Sequence, residues 1–305
     1  MFEAYPVPFE ARLEARAHSV EMLLRQLLDG RALDGEIDRP QRLLAAMRHG
    51  VLNGGKRLRP FLVLEIAALF DADTEAAMRV AAALECVHCY SLIHDDLPAM
   101  DDDDLRRGQP TVHRAFDEAA AILAGDSLLT YAFDILADEA TAIAARHKID
   151  LVGGLARAAG LGGMAGGQAL DLEAEKSTPD ETDIIRIQAM KTGALIRYAC
   201  EAGAILAGAS ASDRARLAEF GSAVGLAFQL ADDLLDVTAN AEIMGKATGK
   251  DAAAGKATLV ALHGVDWARR QLSGLVAQAH GLLEPYGERA VFLKQAASFV
   301  ADRRN

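Results

Sequence analysis

The chain has 305 residues, 51% hydrophobic and 25% charged, the balance of a globular protein with a sizeable core rather than of a disordered or fibrous one. A formal net charge of -12 disfavours nucleic acid and anionic membrane surfaces as partners, so an anionic ligand needs a local cationic site or a bound metal. Three cysteines, an odd number, argue against a disulfide framework. The opening Met1-Phe2-Glu3-Ala4 lacks the basic start and apolar core of a signal peptide. No uninterrupted apolar run is long enough to span a bilayer, since Glu65 breaks the Phe61–Phe70 stretch and Glu201 the one after Arg197. The expectation is a soluble cytoplasmic protein.

Aromatic residues make up only 5% while alanine is abundant, which favours helix over sheet because alanine loses no side-chain entropy in a helix. In chain order, apolar residues recur at intervals of three and four over 10–29, 40–52, 59–70, 74–97, 115–137, 150–170, 181–208, 212–238, 258–284 and 288–303. Thr74-Glu75 and Pro179-Asp180-Glu181 read as helix starts, and Gly30, Gly54-Gly55 and Gly208 as stops. Alternating strand runs bounded by hairpin turns are absent, and so are repeats and low-complexity linkers. The pattern predicts an all-α chain, a single domain over 1–305. Cys86 and Cys89, with His88 between them, share a helix face beside Leu84 and Val87, and a packed face explains them better than a redox or zinc pair with no second ligand pair. From Val237 to Lys256 the apolar period fades and glycines and lysines gather, which predicts a loop that orders on binding.

Two acidic clusters stand out, Asp95-Asp96 with Asp101, and Asp232-Asp233 with Asp236. On a helix Asp232 and Asp236 are spaced i, i+4, with Gln229 one turn earlier, and like charges so placed destabilise the helix unless a counterion joins them. Three carboxylates in each cluster suit a hard cation such as Mg2+, which takes oxygen ligands and is commonly shared with substrate phosphates. In the first cluster Pro98 ends the helix by removing a donor, and Asp101 turns back toward the same side. It is not an EF-hand, because the alternating ligands, central glycine and closing glutamate are missing. Cations accompany the acids: Lys56, Arg57 and Arg59 after Gly54-Gly55, Arg106-Arg107 after the first cluster, and Lys191-Thr192-Gly193 inside an otherwise apolar helix. Each alone reads as surface charge; together they point to a site for a metal-bound diphosphate.

These residues resemble the trans-isoprenyl diphosphate synthases, specifically the short-chain bacterial type that makes farnesyl diphosphate. The matching stretches are GGKRLRP (54–60), SLIHDDLPAMDDDDLRRGQPTVH (91–113), GGQALDL (166–172), KTG (191–193), FQLADDLLDV (228–237) and GK…GKAT (245–258), in family order over about the middle two-thirds of the chain. The resemblance implies a bundle of long antiparallel helices around a central cavity, and a homodimer. It implies that Asp95, Asp96, Asp101, Asp232, Asp233 and Asp236 face each other across that cavity and hold three Mg2+ ions (or Mn2+) on the allylic diphosphate. Arg106, Lys191, Thr192, Gln229, Lys246 and Lys256 match positions that grip the same diphosphate, with Lys191, Arg106, Lys246 and Lys256 assisting its departure. Lys56, Arg59, His88 and Arg107 match the site for isopentenyl diphosphate. Gln168 and Asp171 line the cavity, and Arg57 points elsewhere. The loop 238–256 is the expected lid.

Product length is expected to depend on Tyr90 and Ser91, five and four residues before Asp95 and roughly 6–8 Å down the helix axis. A tyrosine there blocks growth beyond about three isoprene units, which favours farnesyl over geranylgeranyl or geranyl diphosphate. Among the rival readings, a class I terpene cyclase ionises one substrate and has no use for the Lys56, Arg59 and His88 site. A non-catalytic subunit of a heteromeric synthase typically loses its Asp motifs, and both are intact here. A helical metal buffer leaves the basic residues unexplained.

Overall fold

The computed structural model describes residues 8–177, 179–244 and 258–302. Its chain divides into two compact units, Met1–Gly153 with Ile205–Gly208, and Gly154–Ala204 with Ala209–Asn305.

The first unit contains α1 (Phe9–Leu27), α2 (Gln41–Val51), α3 (Leu58–Leu69), α4 (Thr74–Asp95), the short α5 (Val112–Ala115) and α6 (Glu118–Ala137). Helix α4 is its axis, with α3, α6, α2 and α1 packed on it. Its Ala81, Ala82, Ala83, Leu84, Cys86, Val87 and Cys89 are almost completely buried, so α4 is apolar nearly all round, as a central helix must be. Helix α4 begins at Thr74 as the sequence implies, and Asp73 just before it is the cap, its carboxylate accepting the Ala76 N–H at 2.8 Å. At the other end Pro98 halts the helix, and the chain doubles back so that the Asp101 N–H reaches the Asp95 carbonyl at 2.8 Å. Glu65 of α3 is buried and takes guanidinium bonds from Arg12 at 2.9 Å and Arg16 at 2.8 Å, which tie α1 to the same core.

A two-stranded ribbon, β1 (Leu105–Arg106) and β2 (Gln109–Pro110), is the one sheet among the described residues, and the sequence reading missed it. Arg107 and Gly108 form its turn with φ of 54° and 75°; two positive φ values in a two-residue hairpin match the twist of the strands they join. Strands of two residues carry no alternation to detect.

Helix α7 (Ala145–Ala159) begins in the first unit and its last turns belong to the second. The expected helix 150–170 is in fact two, because Gly160-Leu161-Gly162-Gly163 breaks it before α8 (Met164–Ala174). The expected helix 181–208 is likewise divided. It comprises α9 (Glu181–Gln188), capped by Asp180 on the Asp183 N–H at 2.9 Å, a widened π-helical turn over Ala189–Gly193, and α10 (Ala194–Leu206). Helix α11 (Ala211–Met244) comes next, about 50 Å long. The chain ends in α12 (Leu259–His263), α13 (Val265–Leu282) and α14 (Val291–Ala301), with Gly264 at φ 83° splitting what reads as one helix from 258. Helix α11 carries the core of this unit, packed on α13, α14 and the π-turn around Phe220 and Leu217.

The architecture is all-α, as expected. Helices α4 and α6 are each long and apolar enough to cross a membrane, which the sequence reading did not expect, but α4 is mostly buried, the behaviour of a core helix. Cys86, Cys89 and Cys200 are all buried free thiols; burial pushes Cys89 up to about 12, so these are inert packing residues.

Candidate active site

In the first unit the end of α4 and the ribbon assemble one half of the expected chemistry. Asp96 is 3% exposed, and its Oδ1 accepts Arg106 Nε at 2.7 Å and Arg106 Nη2 at still closer range. Burial raises the Asp96 carboxyl above its usual range, and the Arg106 bonds oppose that rise. Asp95 is half-buried and Asp101 is exposed, so Asp96 is the most enclosed acid of this cluster.

The four residues expected to form the second-substrate site also gather in this unit. Arg59, in the first turn of α3, places Nη1 3.3 Å from His88 Nε2 on α4. Burial, with Arg59 and Arg107 next, holds His88 well below the usual imidazole range, so its ring is neutral and tolerates a guanidinium beside it. Arg107, at the ribbon turn, donates to Asn53 Oδ1 at 3.2 Å and to the Gly54 carbonyl, which closes the glycine loop that precedes Lys56. A β-carbon on Gly55 would lie 2.6 Å from the Arg107 guanidinium carbon, so the approach depends on glycine.

Tyr90 is half-buried and packs edge to face on His94, ring centroids 5.7 Å apart. The Ser91 hydroxyl donates to the His88 carbonyl at 2.9 Å.

The second unit assembles the other residues. Gln229 and Gln188 donate through their amide nitrogens to Asp233, at 3.0 and 2.8 Å, and the Thr192 hydroxyl donates to Gln229 Oε1 at 3.2 Å. Lys191 Nζ meets Asp171 Oδ2 of α8 at 2.7 Å. Asp233 is buried, Asp232 half-buried and Asp236 exposed, the same order of exposure as in the first cluster. Burial raises Asp233 above the usual carboxylate range; the Gln229 and Gln188 bonds pull the other way, and the Asp232 and Asp236 charges add to the rise.

The π-turn is why Lys191 and Thr192 lie where they do. A β-carbon on Gly167 of α8 would stand 2.2 Å from the Lys191 backbone nitrogen, and one on Gly225 of α11 3.0 Å from the Gly193 Cα. Two helices therefore close on the turn from glycine faces, and the extra residue of a π-bulge re-aims its side chains. Gln168, beside Gly167, is buried, and neither of its amide atoms is hydrogen-bonded among the described residues. Lys246 and Lys256 lie outside the described residues, as do Arg303 and Arg304. The expected lid starts too early: its residues from Thr238 to Met244 continue α11, and 245–256 lie outside the described residues.

Sequence reasoning missed Gln188, a buried acceptor-matching amide one turn before Lys191, and it set aside Arg57, which proves to be buried on Glu85. Cavities of about 370 Å³ beside Leu28, Met47 and Tyr131, and of about 540 Å³ beside Arg157, Met190 and Tyr198, are lined by none of the expected site residues.

The donor set fits a hard divalent cation. Both clusters are oxygen-only, and among the described residues no three His, Cys, Asp or Glu side chains converge to cage an ion alone. Mg2+ is usually bound by one or two carboxylates plus substrate phosphates and waters, not by an all-protein cage.

The polyprenyl synthetase family pattern matches residues 40–284. The chain belongs to that family and is a trans-prenyl diphosphate synthase, a prenyltransferase. It is 45% identical over 270 residues to farnesyl diphosphate synthase of Escherichia coli, covering 86% of this chain and 89% of that one. It is 39% identical to a geranylgeranyl diphosphate synthase of Cyanophora paradoxa over 87% of this chain and 89% of that one. A crystal structure of an FPP/GFPP synthase from Zymomonas mobilis superposes with a TM-score of 0.86 at 44% identity, covering 96% of this chain and 98% of that one.

Proposed function

We propose that the enzyme condenses isopentenyl diphosphate with dimethylallyl and geranyl diphosphates to release farnesyl diphosphate, as a cytoplasmic homodimer using Mg2+. The observation that carries the chain length is Tyr90, a bulky side chain on the α4 face a little over one turn before Asp95. The 45% identity to a farnesyl diphosphate synthase supports the same reading, while the geranylgeranyl name among the relatives keeps a twenty-carbon product as the second one.

In this reading the carboxylates of both clusters bind Mg2+, which supplies neutralisation of the charge that develops on the departing diphosphate. Asp95, Asp101, Asp232 and Asp236 are the more exposed members, while Asp96 and Asp233, held by Arg106 and by Gln188 and Gln229, keep each cluster in place. Lys191, Arg106, Lys246 and Lys256 donate to the departing diphosphate, with Thr192 and Gln229 orienting it, an electrostatic contribution of the kind that usually dominates such catalysis. Lys56, Arg59, His88 and Arg107 hold isopentenyl diphosphate so that its double bond attacks the allylic carbon. Holding both substrates in one orientation supplies the proximity effect. Loss of a proton gives the trans alkene; the released diphosphate accepts it, because the residues assigned to the site supply no obvious base.

The test incubates the purified enzyme and Mg2+ with labelled isopentenyl diphosphate and, separately, five-, ten- and fifteen-carbon allylic diphosphates, then sizes the dephosphorylated alcohols. Farnesol from the two shorter primers, with the fifteen-carbon primer untouched, is the expected result. A twenty-carbon alcohol rejects the Tyr90 argument and retains the chemistry.

A further inference from the structure

Arg57 is flanked by the two cations assigned to isopentenyl diphosphate, yet it takes no place beside them. It is 4% exposed, with left-handed backbone at φ 49°, a conformation uncommon outside glycine. Its Nη1 donates to Glu85 Oε1 of α4 at 2.6 Å, and its Nη2 donates to the carbonyl of Val51, the last residue of α2. Both side chains of the pair are almost wholly enclosed. One guanidinium thus joins the end of α2, the glycine loop and the middle of α4.

Stability is a poor reason for this arrangement. A buried ion pair commonly costs as much in desolvation as it gains in attraction, and well-packed apolar side chains often replace one without loss. Here the Arg57 Nε is also buried without a hydrogen-bond partner among the described residues, an added cost. Location offers a better reason. Glu85 is one helical turn before His88, and Arg57 lies between Lys56 and Arg59 in the chain. Arg59 in turn stands 3.3 Å from His88. A rigid link between Arg57 and Glu85 therefore fixes the loop cations against the helix imidazole.

We propose that the Arg57–Glu85 pair is the positioning device of the isopentenyl diphosphate subsite, acting through Lys56, Arg59 and His88 without touching substrate. The inference rests on the assignment of those residues to that subsite, and the test separates the two. The double variant Arg57→Met/Glu85→Met removes both charges at similar volume and leaves no unpaired ion. Its thermal midpoint is expected to stay near that of the wild type. Its KM for isopentenyl diphosphate is expected to rise about tenfold, the scale of a sub-ångström to ångström misplacement, with the KM for geranyl diphosphate nearly unchanged. Arg57→Lys keeps the buried charge but not the fork, and serves if the double variant does not fold; the same selective rise in KM is expected.

A folded variant with both KM values unchanged, or with both raised alike, overturns the proposal, since a merely structural pair gives one of those results. Lys56→Ala and Arg59→Ala are the controls. If they too leave the KM for isopentenyl diphosphate unchanged, the subsite assignment fails and the positioning role falls with it.

Discussion

Replacing Gly167 by alanine tests whether the π-turn is held in place by close helix packing. The new β-carbon would stand 2.2 Å from the Lys191 nitrogen and 2.6 Å from its Cα, both backbone atoms that cannot rotate aside. Ordinary carbon contact lies at about 3.5 Å, so α8 must retreat by about 1.3 Å. Asp171 is one turn further along α8, and its bond to Lys191, now 2.7 Å, would open to about 4 Å and cease to hold the ammonium. Overpacking of this kind costs about 1–3 kcal/mol, offset by about 0.5–1 kcal/mol of helix propensity, which leaves a net loss of up to about 2.5 kcal/mol. For a chain of this size that is a fall of a few degrees in thermal midpoint. The displaced Lys191 should lower kcat by about ten- to a hundredfold. Circular dichroism melts and initial-rate kinetics read both effects. Gly274→Ala is the control, exposed inside α13 with nothing near its Cβ position, and should gain about 0.5–1 kcal/mol with kcat unchanged. A Gly167→Ala enzyme as stable and as fast as the wild type would refute the packing argument.

Tyr90→Ala should shift the product of a geranyl diphosphate reaction from fifteen to twenty carbons, read by chromatography of the alcohols; an unchanged length shows that another side chain stops growth. Because neither acidic cluster cages an ion alone among the described residues, Mg2+ by itself should barely move the thermal midpoint. Mg2+ with inorganic diphosphate at a hundredfold excess over its Kd should stabilise the protein by about 2.7 kcal/mol, and an equal shift from Mg2+ alone would contradict the shared-ligand reading. His88 is held below its ordinary pKa by burial and the neighbouring arginines, so below about pH 6.5 the unfolded chain binds a proton that the folded one refuses. Stability therefore falls as pH drops through that window. His88→Gln should lose less thermal midpoint than the wild type between pH 7.5 and 5; an equal loss means that His88 titrates normally.

Helix periodicity made most of the architecture legible, since α1, α2, α6 and α11 bury apolar stripes at the spacing their sequences display, while α3 and α4 are apolar nearly all round. The break at Gly264 was harder, because an isolated glycine also occurs inside helices and its φ of 83° is not announced by the sequence. The Asp clusters and their cations were visible as charge in apolar surroundings. The order within each cluster was not: which aspartate is buried depends on Arg106 arriving from a hairpin and Gln188 from another helix. Arg57 points away from the substrate cations, as expected, but its destination was not legible, for a related reason. Its partner Glu85 lies 28 residues away, and its inward turn depends on a left-handed backbone that no local pattern announces.

Helix α4 carries Glu85, His88, Tyr90, Asp95 and Asp96 within about 16 Å of a single rigid rod. On the proposed farnesyl reading such a rod would serve as a ruler, with the diphosphate end marked by Asp95 and the stop marked by Tyr90. Its helical turns of about 5.4 Å are comparable to one five-carbon unit, so the spacing of stops along it matches the whole steps in which isopentenyl units add. Removing Tyr90 moves the stop back by one graduation, to Val87 and Cys86, three and four positions earlier and both at 0% exposure. Those side chains are committed to the core. Divergence toward much longer products therefore cannot proceed by trimming this face alone; it requires repacking the helices that enclose α4.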